Sequence, residues 1–149
     1  MNPPILLVHG MFLTERSWAP WVSFLEARGF AVTAPAWPGR ERSAAECRAQ
    51  PDALLRTLTL TELVSRYEAA ARAHATPPIL IGHSMGGLIV QLLLQRGLGR
   101  MGIVLSSAPP KGVSSNAWSH IRANAPVLWP SSSPIVPSPA RRSRLGLST

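Results

Sequence analysis

The chain has 149 residues, 46% of them hydrophobic and 15% charged, with 15 Lys and Arg against 7 Asp and Glu and a formal net charge of +8. That length suits one domain, which needs no disulfide or metal staple, and the apolar share excludes a disordered chain. All seven acids lie in the first 68 residues, where seven arginines balance them, so the whole surplus sits in residues 69–149; such lopsidedness fits a nucleic-acid or membrane surface, or a missing acidic portion.

Ile5-Leu6-Leu7-Val8 is a continuous apolar run between Pro3-Pro4 and His9-Gly10, which reads as a strand buried on both faces. After a loop, Ser17 is the expected N-cap of a helix with Pro20 in its first turn. Trp18, Trp21, Val22 and Leu25 share one face of that helix, and Gly29 is placed to end it. Phe30–Ala34 is the next expected strand, closed by Pro35, and residues 36–53 read as a loop.

Thr59-Leu60-Thr61-Glu62 is a capping box, with Leu58 and Leu63 as its hydrophobic staple. Leu60, Leu63, Val64, Tyr67 and Ala71 continue the helical period. Pro77-Pro78 leads into a third strand, Ile79-Leu80-Ile81, and Gly82-His83-Ser84-Met85-Gly86-Gly87 makes a turn. Leu88–Leu94 is apolar nearly all round, as in a buried helix ended by Gly97 and Gly99, and Gly102–Leu105 is a fourth strand.

Strands alternating with helices predict an α/β fold: a parallel sheet of about four strands with helices on both faces. The pattern stops after Ser107, where residues 107–149 hold seven prolines and eleven Ser and Thr. A short helix is expected around Val113–Ala123, and the composition from Pro130 onward is that of an unstructured tail. The expected division is a partial core over 1–112, a segment over 113–129 and an irregular Pro/Ser/Arg-rich tail over 130–149.

Gly82-His83-Ser84-Met85-Gly86 has the Gly-x-Ser-x-Gly form and lies directly between a strand and a helix. That context is a nucleophile elbow, with Ser84 at the top of the sheet on a strained turn. Gly82 and Gly86 suit the close approach of strand and helix backbones there, and Gly87 continues the motif. The helix start aims the Met85 N–H at a developing oxyanion. The second donor is expected from His9-Gly10-Met11-Phe12 after the first strand, with Met11 the first choice and Phe12 the second.

This arrangement resembles the α/β-hydrolase superfamily, in its esterase, lipase and haloperoxidase-like branch. The resemblance is carried by Ile5–Phe12 with Ser17-Trp18, by Ala34-Pro35-Ala36-Trp37-Pro38-Gly39, by Ile79–Leu94 and by the strand ending Ser106–Pro110. It implies that the four strands are the third to sixth of an eight-stranded sheet, in the spatial order 4-3-5-6. It also implies a serine hydrolase acting on a small-molecule ester, thioester or similar acyl bond through an acyl-enzyme on Ser84. No metal and no organic cofactor is implied. Ala36 and Trp37 stand where the family usually carries an Asp before its Pro-Gly.

The family's catalytic order is Ser, then Asp or Glu, then His. No acid follows Ser84, and the only later histidine, His120, stands where the family inserts a cap. His120 is therefore read as a solvated or cap-segment residue. His9 and His83 are read as packing and loop residues of the motifs, His74 as an exposed residue at a helix end. Asp52 and Glu41 precede the serine and fall outside the family's order. The expectation is a hydrolase chain truncated before its catalytic acid and His, by a frameshift or a fragmentary gene. The alternative is a non-catalytic binding module, or an inactive gene fragment, that keeps the front half of the fold.

The basic residues of the second half are dispersed and form no recognised nucleic-acid module, so no nucleic-acid partner is expected. A sheet cut after four strands exposes an apolar edge through which copies could associate. The single cysteine, Cys47, excludes an internal disulfide framework. No apolar run approaches the ~20 residues of a membrane helix, and the N-terminus has no charged leader region. The cytoplasm is the expected compartment.

Overall fold

A computed structural model describes residues 2–113. The expected helix beyond Val113, the rest of the 113–129 segment, the 130–149 tail and His120 lie outside the described residues. Four parallel strands, β1 (Ile5–Val8), β2 (Val32–Thr33), β3 (Ile79–His83) and β4 (Met101–Leu105), form one sheet in the order β2-β1-β3-β4. The α/β class and the strand order expected from the sequence are both borne out. Val8 pairs with Gly82, and Gly82 with Val104. The carboxyl ends of β1, β3 and β4 are therefore nearly flush, which brings the segments after Val8, His83 and Leu105 together.

Alternation along the strands sorts the core into two layers. Leu6, Val8 and Leu80 pack with Leu63, Val64, Tyr67, Ile89, Val90 and Leu93 of helices α3 (Leu60–Arg72) and α4 (Met85–Gln95). On the other face, Ile5, Leu7 and Ile81 meet Trp18 together with Val22 and Leu25 of α1 (Ala19–Glu26). Helices thus cover both faces.

The capping box of α3 is formed. Thr59 Oγ1 accepts the Glu62 amide hydrogen at 3.2 Å, and Glu62 Oε2 accepts that of Thr59 at 2.7 Å. Leu60 departs from the expected stripe and is 39% exposed, while Leu63, Val64, Tyr67 and Ala71 are buried.

Several local expectations are corrected. Ser17 does not cap α1; it lies in a 3-10 turn over Glu15–Trp18 and its hydroxyl donates to the Thr14 carbonyl at 2.8 Å. The chain enters α1 from that turn, and Pro20 is accommodated in the first helical turn, where its missing N–H costs nothing. Trp21 stands edge-on to the buried Trp18 at 5.6 Å and is largely exposed, so only part of the aromatic face is core. The second strand pairs over two residues rather than five, since only Val32 and Thr33 align with β1.

The stretch 36–53 is not all loop, because α2 covers Ala44–Ala49 and a 3-10 turn follows at Ala53–Arg56. The helix is closed by a second capping box, with the Ser43 N–H donating to Glu46 Oε2 at 2.9 Å. His74 is half-buried rather than exposed, with Nε2 3.1 Å from Thr33 Oγ1. Among the described residues no helix is long and apolar enough to cross a membrane.

Candidate active site

β3 ends at His83 and α4 begins at Met85, leaving Ser84 alone to reverse the chain. Its backbone adopts φ 55° and ψ −121°, a region that costs a non-glycine residue on the order of 1–3 kcal/mol. The surroundings enforce it. The Ser84 N–H donates to the Leu105 carbonyl at 3.0 Å, and its carbonyl accepts from the amides of Gly87 and Ala108, each at 2.9 Å.

Two glycines make that geometry sterically feasible. A Cβ on Gly82 would overlap the Gly86 carbonyl, and one on Gly86 would overlap the Val8 carbonyl. The first turn of α4 thus rests directly on the ends of β3 and β1. A Cβ on Gly87 would come to 3.0 Å from the Ser107 side chain, which also accepts from Gln91 Nε2 at 2.8 Å.

The loop after β1 closes over the serine. A Cβ on Gly10 would be 3.1 Å from Ser84 Cβ and 3.2 Å from His83 Nδ1. The Gly10 carbonyl accepts from the Leu13 amide at 3.2 Å, which turns the loop back. Among the described residues the amide hydrogens of Met11, Phe12 and Met85 have no backbone acceptor. Met11 and Met85 are half-buried and Phe12 is 49% exposed. Positions after β1 and at the start of α4 can therefore offer N–H groups to a ligand near Ser84.

His9 is completely buried and fully engaged. Its Nδ1 donates to the Gly10 carbonyl at 3.0 Å, and its Nε2 accepts the Trp37 amide hydrogen at 3.2 Å. The ring stacks on Trp37 at 5.1 Å between centroids. Burial, assisted by the Arg40 charge, lowers its pKa from 6.5 to about 4, so it is neutral at pH 7. With no free nitrogen, it cannot accept a proton from Ser84 without breaking the loop. His83 is half-buried, and its buried Nδ1 has no partner among the described residues.

Most of the carboxylates have other structural partners. Glu46 and Glu62 close capping boxes, and Asp52 Oδ1 accepts the Leu54 amide hydrogen at 2.8 Å. Glu68 pairs with Arg72 and Arg96 at 2.9 and 2.8 Å, and Glu15 lies 3.6 Å from Arg16. Glu26 and Glu41 are exposed. Among the described residues no acid orients a histidine beside Ser84, and no three His, Cys, Asp or Glu side chains cluster as a metal site. The Cys47 thiol donates to the Arg42 carbonyl at 3.6 Å.

Beside the elbow lies a cleft of about 190 Å³, walled by Met11, Trp37, Leu58, Leu63 and Met85, with Arg40 as its one charged lining residue. Sequence reasoning missed Arg40. Its place in the cleft depends on the turn at Pro38-Gly39, and nothing in its own sequence neighbourhood distinguishes it from the chain's other arginines.

A model of the alpha/beta hydrolase family matches residues 5–147. No curated protein sequence matches the chain. Among solved structures, an extracellular alpha/beta-hydrolase from a Paenibacillus species is similar with TM-score 0.58 and 21% identity, over 73% of this chain and 42% of that one. A methylesterase from Arabidopsis gives TM-score 0.58 at 20% identity, over 76% of this chain and 47% of that one. A monoacylglycerol lipase from Paleococcus ferrophilus gives 0.56 at 20%, over 84% and 48%. At these identities the likeness is one of fold, and the chain spans between 42% and 48% of the length of these structures.

Proposed function

This chain belongs to the alpha/beta hydrolase family, and from that membership and the geometry around Ser84 we propose that it carries the nucleophile of a serine hydrolase that cleaves a small-molecule ester, thioester or similar acyl bond. The observation that carries this reading is the φ of 55° at Ser84, held between β3 and the start of α4 under the Gly10 loop. In the proposed reaction Ser84 Oγ attacks the acyl carbonyl carbon and a base takes its proton. The carbonyl oxygen becomes an oxyanion that receives the N–H groups of Met85 and Met11, with Phe12 as the second-choice donor. Collapse expels the alcohol or thiol and leaves the acyl group on Ser84, and water then releases it.

The base and its orienting carboxylate are supplied from outside residues 2–113 in this reading. His9 is spent on Gly10 and Trp37, and the described carboxylates serve structural bonds or stand exposed, apart from Glu15, whose buried Oε2 has no partner among the described residues and which makes no bond to a histidine. A second reading, a binding module that keeps the elbow without turnover, draws support from the same engagement of His9. Incubation with a p-nitrophenyl ester, followed by intact-mass measurement, separates the two. With imidazole added as a surrogate base, the hydrolase reading expects one acyl adduct, lost in Ser84→Ala; a chain that never acylates even then supports the binding module.

We also propose self-association through β4, which has no neighbouring strand on its outer side among the described residues. β4 is apolar on both faces, as an interior strand would be, yet Met101, Ile103 and Val104 are 56%, 42% and 42% exposed.

A further inference from the structure

Arg40 is placed unusually for a cation. It lines a small cleft whose other walls are methionine, tryptophan and leucine side chains, among them Met11 and Met85, the chain neighbours of Gly10 and Ser84. Among the described residues no carboxylate lies within salt-bridge distance of its guanidinium. Nη1 reaches the Leu13 carbonyl only at 3.4 Å. Nε is buried and has no hydrogen-bond partner among the described residues. Arg40 is half-buried, and a charge so placed with no counter-ion among the described residues gains from a bound anion. The planar array of guanidinium N–H donors fits the two oxygens of a carboxylate.

The cleft also limits size. Pockets for drug-sized ligands run to ~300–1,000 Å³, against about 190 Å³ here. An acyl chain of a few carbons fills a cleft of that size. We propose that this cleft binds a short acyl group bearing a carboxylate at the end remote from the scissile bond, so that Arg40 selects half-esters of short dicarboxylic acids over neutral esters. The carboxylate end is assigned by Arg40 and the apolar walls. The placing of the ester end at Ser84 rests on the hydrolase reading above.

The test uses the 149-residue chain with Ser84→Ala, so that no ligand is consumed. Monomethyl glutarate and dimethyl glutarate share a carbon chain and differ in one charge. Titration of each is followed by NMR on the arginine Nε–H resonances, that of Arg40 being assigned by its loss in Arg40→Met. The half-ester is expected to bind at least tenfold more tightly and to shift the Arg40 Nε–H signal. Arg40→Met is expected to erase the preference and Arg40→Lys to restore part of it, with amide spectra confirming that both variants fold. Equal affinity for the two ligands, binding of neither, or a preference that survives Arg40→Met overturns the proposal. If the half-ester binds through Arg40 but the wild-type chain never acylates even with added imidazole, the hydrolase reading fails alone; acylation at Ser84 without carboxylate preference removes only this inference.

Discussion

Nε2 of His9 accepts the amide hydrogen of Trp37 at 3.2 Å, while Nδ1 of the same ring donates to the Gly10 carbonyl at 3.0 Å. One neutral imidazole thereby ties the loop after β1 to the loop after β2, at the edge of the cleft. Protonation would place a hydrogen on Nε2 facing a donor, and would charge a ring with no exposed surface.

The consequence for pH follows from the direction of that shift. The native pKa of His9 is about 4, against 6.5 in its absence. Between those values the unfolded chain holds a proton that the native chain lacks, so stability falls as pH drops from 6.5 toward 4. The loss is on the order of 3 kcal/mol. Hydrogen bonds also hold the carboxyls of Glu46, Glu62 and Glu68 below 4.5, so their contributions disappear in a lower, more acidic window. Urea midpoints at several pH values between 7 and 4 check this. His9→Gln should flatten the upper part of the profile, and an identical profile in that variant would refute the assignment.

Gly86 and Gly97 make a matched pair. A Cβ at Gly86 overlaps the Val8 carbonyl, whereas one at Gly97, with φ +70°, meets nothing within 4 Å. Gly97→Ala should cost only about 1–2 kcal/mol, the penalty of a left-handed residue. Gly86→Ala should exceed the ~1–3 kcal/mol typical of overpacking, because the obstacle is backbone rather than a flexible side chain. Equal losses in thermal or urea unfolding would mean that α4 does not rest on β1 as described.

Tyr67 is fully buried, and its hydroxyl donates to the Pro35 carbonyl at 2.8 Å. This bond fixes α3 to the segment that leads into Trp37. Tyr67→Phe leaves that carbonyl without its donor and should cost about 1–3 kcal/mol. A denaturation midpoint within error of wild type would show that water or another donor takes the place of the phenol.

The sequence carried the core strands and the elbow clearly, because those signals are local. Ile5–Val8 needs no alternation to announce burial on both faces, and Gly82 and Gly86 bracket Ser84 where two backbones touch. The capping box of α2 was equally local, in Ser43 and Glu46, but a stretch rich in Pro, Gly and charge masked it. Other features had no local signal. Whether Trp21 is covered depends on what stands next to α1, and the length of β2 depends on how far its backbone runs alongside β1, which pairs only with Val32 and Thr33. Arg40 became a cleft residue only through the turn at Pro38-Gly39.

The proposed role of β4 predicts concentration-dependent association. Ile103 is 42% exposed on a strand with no neighbour beyond it among the described residues. Ile103→Lys places a charge on that surface and should lower association measured by sedimentation at equal protein concentration. Unchanged association in the variant would move the contact elsewhere.

In the hydrolase reading Ser84 is a preorganised nucleophile whose base lies outside the described residues. That reading is tested most directly by the rate at which a fluorophosphonate labels the 149-residue chain, with and without added imidazole as a surrogate base. Slow labelling confined to Ser84, absent in Ser84→Ala and accelerated by imidazole, is the expected result. Labelling that persists in Ser84→Ala, or no labelling of Ser84 even with imidazole, would contradict it.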